Sequence, residues 1–106
     1  MIEREDIKPG ALFYKGEYMS MEACVLVRVT KIHSRNISTS NLAKPFYVQQ
    51  VYYNQYTVIA AGAELDFSEK KDKVNMSELT SEYSFFSPAT DKHIRRFLKL
   101  IFNKSR

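Results

Sequence analysis

The chain has 106 residues, 44% of them apolar, with one cysteine and a formal charge of +4. That length suits one hydrophobic core rather than two, the apolar content excludes general disorder, and a lone Cys24 excludes a disulfide framework within the chain. The charge is unevenly spread: residues 92–106 hold six Lys and Arg and no acid, while the remaining ten cations face twelve acids, so a basic tail segment rather than a basic body sets the high pI.

The first ten residues are charged and end at Lys8-Pro9-Gly10, a turn signal. A short strand is expected over 11–15, closed by Gly16. Residues 21–33 predict a long central strand: Ala23, Val25, Val27 and Val29 alternate with Cys24, Leu26, Arg28, Thr30 and Ile32, so both faces carry apolar side chains. Residues 34–45 are polar and aperiodic, which predicts an exposed, mobile hairpin loop. A second long strand is expected over 46–59, and a strand of that length is expected to bend and switch its buried face partway. Ala60-Ala61-Gly62 reads as a turn into a short strand at 63–67, Glu69-Lys70-Lys71-Asp72 as an exposed turn, and 73–76 as a last strand.

A helix is predicted over 91–102. Thr90 supplies an N-cap, Asp91 suits the positive end of the helix dipole, and Pro88 discourages helix at Ser87. Ile94, Phe97, Leu98 and Ile101 fall at i, i+3, i+4 and i+7 and form one apolar stripe, with Lys92, Arg95, Arg96, Lys99 and Asn103 on the other side. The whole is expected to be a single α+β domain spanning 1–106. Its body would be a small bent antiparallel sheet, or partly open barrel, of four to five strands, closed by the C-terminal amphipathic helix.

The run Lys8-Pro9-Gly10-Ala11-Leu12-Phe13-Tyr14, followed by a valine-rich and then an aromatic strand, resembles the SH3-like barrels of small bacterial and bacteriophage proteins, and Ser87-Pro88-Ala89-Thr90-Asp91 is similar to the lead into their closing helix. The resemblance implies an SH3-like barrel and an adaptor, a nucleic-acid binder or an inhibitor of a host protein. A KOW-type glycine signature and a Tudor-type aromatic cage are absent from the sequence.

Two constellations are candidates for binding. Lys92, Arg95, Arg96 and Lys99 line one helix side and suit phosphates, although a solvated outer face has the same pattern. Tyr47, Tyr52, Tyr53 and Tyr56, interleaved with Gln and Asn, suit base stacking or a protein interface; a strand has two faces, so some of these rings are expected in the core. Catalysis is not expected. Glu64 and Asp66 read as the outer side of an ordinary strand, His33 and His93 lack metal-ligand spacing, Cys24 reads as a small buried hydrophobe, and three glycines cannot build a phosphate-cradling loop.

The expectation is therefore a non-catalytic protein without cofactor or metal, acting on a protein partner, in the manner of a phage-type modulator of a host factor. A nucleic-acid-binding module is the second expectation, and a structural or oligomer-forming subunit the third. Residues 1–6 start acidic, without a basic-then-apolar leader, and no run approaches the ~20 apolar residues needed to cross a bilayer, so a cytoplasmic location is expected (the host cytoplasm for a phage-encoded chain).

Overall fold

The computed structural model describes residues 2–16, 22–37, 46–61 and 64–104. A 3-10 turn at Arg4–Asp6 precedes β1 (Leu12–Lys15), β2 (Glu22–Ile37), β3 (Phe46–Ala61), β4 (Glu64–Asn75), α1 (Met76–Leu79), β5 (Phe86–Pro88) and α2 (Asp91–Lys104). The five strands form one antiparallel sheet in the order β4-β3-β2-β1-β5. β2 is central, as its two apolar faces require. The sheet is open among the described residues, with β4 and β5 as its edges.

Several boundaries differ from those expected of the sequence. The strands expected at 63–67 and 73–76 merge, over the described residues, into one continuous strand, β4, with Glu69–Asp72 in its middle rather than in a turn; Ala63 lies outside the described residues. An edge strand exposed on both faces needs no alternation of apolar and polar residues, so its polar centre read as a break. Met76 opens α1. The expected loop begins later: 34–37 belong to β2, paired with 46–49, and 38–45 lie outside the described residues. Ala60 and Ala61 complete β3, while Gly62 lies outside the described residues. The short β5 carries no alternation that marks it as a strand in the sequence; it ends at Pro88, which an edge strand tolerates because the missing N–H breaks no inner ladder.

The change of face expected in β3 occurs in β2 instead. Register shifts between Val29 and Lys31, so that Thr30 and Lys31 together oppose Tyr52. Before this bulge Val25, Val27 and Val29 point to one face; after it Ile32 does, opposite Val51. Without the extra residue taken up there, Ile32 would turn to the opposite face and Lys31 would enter the core.

The two faces of the sheet are covered differently. On the core face, Ile2 and Ile7 of the N-terminal segment and Met76 and Leu79 of α1 pack on Phe13, Val27, Val29, Val51 and Tyr53. Each fully buried Ile, Val or Leu there contributes roughly 1.5–3 kcal/mol before entropy is subtracted. The Lys8-Pro9-Gly10 turn is formed: Gly10 has φ +92, a conformation open to glycine, and its N–H donates to Val29 O at 2.8 Å. This bond moors the N-terminal segment at the bulge.

On the other face, hereafter the helix face, α2 packs across β2, β3 and β4. Thr90 and His93 cap it reciprocally. His93 N–H donates to Thr90 Oγ1 at 3.4 Å, and Thr90 N–H donates to His93 Nδ1 at 3.2 Å. His93 thus takes the part that Glu or Gln plays in a capping box. The covered side of α2 is set by His93, Ile94, Phe97, Leu100 and Ile101, all half-buried; Phe97 meets Phe67 edge-on at 6.4 Å. Leu98, expected in the buried stripe, is 45% exposed, and its place is taken by His93 and Leu100. The side of the helix that meets the sheet is therefore rotated towards these two residues.

The long β2–β3 pair gives the molecule extents of 60 × 23 × 23 Å and a radius of gyration of 16.6 Å, against roughly 13 Å for a rounded chain of this length. A 14-residue helix is about 21 Å long and a 16-residue strand about 53 Å. The helix therefore leaves much of its own face of the sheet uncovered, and that area is the one of functional interest.

Candidate functional site

The pleat divides the four tyrosines of β3 into two pairs. Tyr53 faces the core, is 4% exposed and meets Phe86 edge-on at 5.8 Å. Its ring is a packing element, which corrects its expected place on a binding surface. Tyr47 shares its parity and is exposed, beside a groove formed with Ile2, Val48 and Met76. Tyr52 and Tyr56 are on the helix face, half-buried.

The same pleat sorts charge. On the uncovered part of the helix face stand Arg28, Lys31 and Arg35 of β2 and Lys71 and Lys73 of β4, all exposed, with Glu69 the one described acid among them. Lys92, Arg95, Arg96 and Lys99 of α2 are all exposed on the same side of the sheet, accompanied by Asp91. The acids Asp66 and Asp72 of β4 point to the other face, and Glu3, Glu5, Asp6, Glu78 and Glu82 belong to the N-terminal segment and the stretch around α1. A body that is slightly acidic in total is thus strongly cationic on one face.

The expected basic helix residues therefore have partners that the sequence did not disclose. Their signal was the spacing of Glu69, Lys71 and Lys73 against Ser68, Lys70 and Asp72, legible only if β4 is taken as a single strand. Within this area Tyr52 lies between the flanking strands. Lys31 Nζ is 4.6 Å and Lys73 Nζ 5.9 Å from its ring centroid. Thr30 Oγ1 donates to Tyr52 O at 3.1 Å, tying the bulge to β3. A shallow cleft of about 350 Å3, lined by Thr30, Lys31, Tyr52, Asn54, Lys71 and Asp72 among others, opens at this point; by its strand position the Asp72 side chain belongs to the other face of β4.

Cys24 lies under α2, 1% exposed, with its Sγ 3.6 Å from His93 O. Burial pushes its thiol above the ordinary value, against the opposing pull of the Arg96 guanidinium. It behaves as a small buried hydrophobe. His33 is exposed in the middle of the outer half of β2 rather than at its end, and Asp66 is exposed on β4. Among the described residues no group of three His, Cys, Asp or Glu side chains is placed to hold a metal ion. Among them, too, no helix is long and apolar enough to cross a membrane.

A second surface lies around the turn that precedes β5. Tyr83 is 84% and Phe85 73% exposed, and with Val74 and Phe86 they edge a groove of about 300 Å3 that also contains Glu78.

No family model, no curated protein and no solved structure matches the chain.

Proposed function

We propose that this chain is a non-catalytic binding protein whose ligand is nucleic acid, held on the helix face. The observation that carries the reading is the sorting of charge by the sheet: Arg28, Lys31 and Arg35 of β2, Lys71 and Lys73 of β4 and the exposed cations of α2 stand on one side, where Glu69 and Asp91 are the acids whose side chains are described, while Lys70 shares the other face with Asp66 and Asp72. Exposed cations at several heights of one surface suit the repeating phosphates of a polyanion, each contact releasing counterions and adding affinity. Tyr52 and Tyr56 on the same face add aromatic surface where bases would lie. The reading is tested by titrating a labelled oligonucleotide across salt concentrations with the native chain and with Arg95→Glu/Arg96→Glu. Steep weakening with salt and loss of binding in the double variant support it; absence of binding at low salt removes it.

A second reading, a protein partner, is favoured by the exposed Tyr83 and Phe85 beside their groove, since exposed aromatic clusters suit protein interfaces. The resemblance to small bacterial and bacteriophage SH3-like barrels implies the same class of activity, as an adaptor or a modulator of a host factor. The strand order, with β5 returning to pair with β1, is compatible with a partly open barrel of that kind. Pull-down from host lysate with and without nuclease separates the two readings. Capture of one protein that survives nuclease and is lost in Tyr83→Ala/Phe85→Ala supports the second.

A further inference from the structure

We propose that the cleft at the β2 bulge is a base-stacking subsite centred on Tyr52, so that the nucleic acid held on the helix face is single-stranded there; this rests on the nucleic-acid reading above. The bulge is what makes the subsite. It places two residues, Thr30 and Lys31, opposite Tyr52, and Thr30 Oγ1 holds the backbone of Tyr52 at 3.1 Å. Tyr52 is therefore fixed on a strand, paired on both sides, while its half-buried ring borders the open cleft.

Lys31 from β2 and Lys73 from β4 flank that ring, with ammonium groups 4.6 and 5.9 Å from its centroid. Contacts of this kind at an exposed site are weaker than the stacking of a base on an aromatic ring. A base would displace the lysine ends, and the strand that brings the base also brings the phosphates on which those ends can settle. Asn54, two residues on and on the same face, adds an amide that both donates and accepts, suited to a base edge. The other tyrosines of β3 on the core side do not offer this combination: Tyr53 is buried, and Tyr47 points to the opposite face. A duplex keeps its base faces stacked on one another and has none to give Tyr52 except at its ends.

The test uses a labelled oligothymidylate about twelve nucleotides long, a length within the range of known single-strand sites. It is compared with an abasic strand and with a duplex of the same length, each titrated against the full chain at low salt. The expected result is tighter binding of oligothymidylate than of either comparison strand. Tyr52→Ala is expected to lower that affinity by about tenfold and to erase the preference over the abasic strand, whereas Tyr52→Phe keeps both. The abasic comparison needs no variant, so it can overturn the stacking subsite even if Tyr52→Ala fails to fold; Tyr56→Ala, which is expected to keep the preference over the abasic strand, assigns the stacking to Tyr52. Equal affinity for oligothymidylate and the abasic strand, with Arg95→Glu/Arg96→Glu still weakening both, overturns the stacking subsite and leaves the nucleic-acid reading in place. Absence of binding to all three overturns both.

Discussion

The ring of His93 lies flat on the ring of Tyr14, centroids 4.0 Å apart and planes 4° from parallel, so α2 is fastened to β1 at the same residue that caps the helix. Two roles in one side chain make a graded prediction. His93→Ala removes half of the capping box and the stack, and is expected to cost about 1–2 kcal/mol. His93→Glu keeps a capping acceptor at the third helical position but loses the stack, so its cost is smaller. Urea unfolding of the three proteins measures this; equal midpoints for native and His93→Ala would show that the helix is held by other contacts.

Cys24 gives a prediction in pH. Its thiol is raised above the ordinary value of 9.0 by burial under α2, so above pH 9 the unfolded chain loses this proton before the folded one does. Stability is then fully present below pH 9 and declines as pH rises through the folded value, because the folded state binds more protons in that window. Thermal melts at about pH 8 and about pH 10, on either side of the unfolded thiol's titration, isolate the effect when the native chain is compared with Cys24→Ala. The native chain is expected to lose more on the rise; identical losses would contradict a thiol kept neutral by burial. Thiol reagents at neutral pH are expected to label Cys24 at the rate of unfolding.

Tyr53 and Tyr47 share a strand and a parity but not an environment. Tyr53→Ala opens a cavity among Val29, Val51 and Phe86 and is expected to cost about 3 kcal/mol or more. Tyr47→Ala, at an exposed site, is expected to stay within about 0.5 kcal/mol. Denaturation midpoints of the two variants decide it, and the reverse order would place the core on the wrong face of β3.

The orientation of α2 is tested by neighbours. Phe97 rests edge-on against Phe67, whereas Leu98 is 45% exposed. Phe97→Ala is expected to lower the melting temperature by about 5 °C or more, and Leu98→Ala by much less. A helix seated on the stripe of Ile94, Phe97, Leu98 and Ile101 would give comparable losses.

Much of this architecture is legible in residue pattern. The valine alternation identifies β2, the Thr90 cap and the apolar spacing identify α2, and Pro9-Gly10 identifies the turn that moors the N-terminal segment. What stays hidden is whatever depends on register. A bulge has no sequence signature, and the one at Thr30 decides which of Lys31 and Ile32 meets the core. β4 puts Glu69, Lys71 and Lys73 on one face and Lys70 and Asp72 on the other, so its run of charge reads as a turn until the pairing with β3 is known. The helix residues Lys92, Arg95, Arg96 and Lys99 could be found from spacing alone; their partners Arg28, Lys71 and Lys73 could not, because only the sheet assembles them.

The most direct measurement is a comparison of two double charge reversals with the same net charge, Arg28→Glu/Lys71→Glu on the helix face and Lys8→Glu/Lys70→Glu away from it. Both are titrated with the same labelled oligonucleotide at several salt concentrations. A binding surface on the helix face predicts that the first pair weakens binding and flattens the slope of log affinity against log salt, by about 0.7 for each phosphate left without its cation on a single strand, while the second pair leaves the slope unchanged. Equal weakening by both pairs would mean that total charge, and not the face the sheet assembles, attracts the ligand.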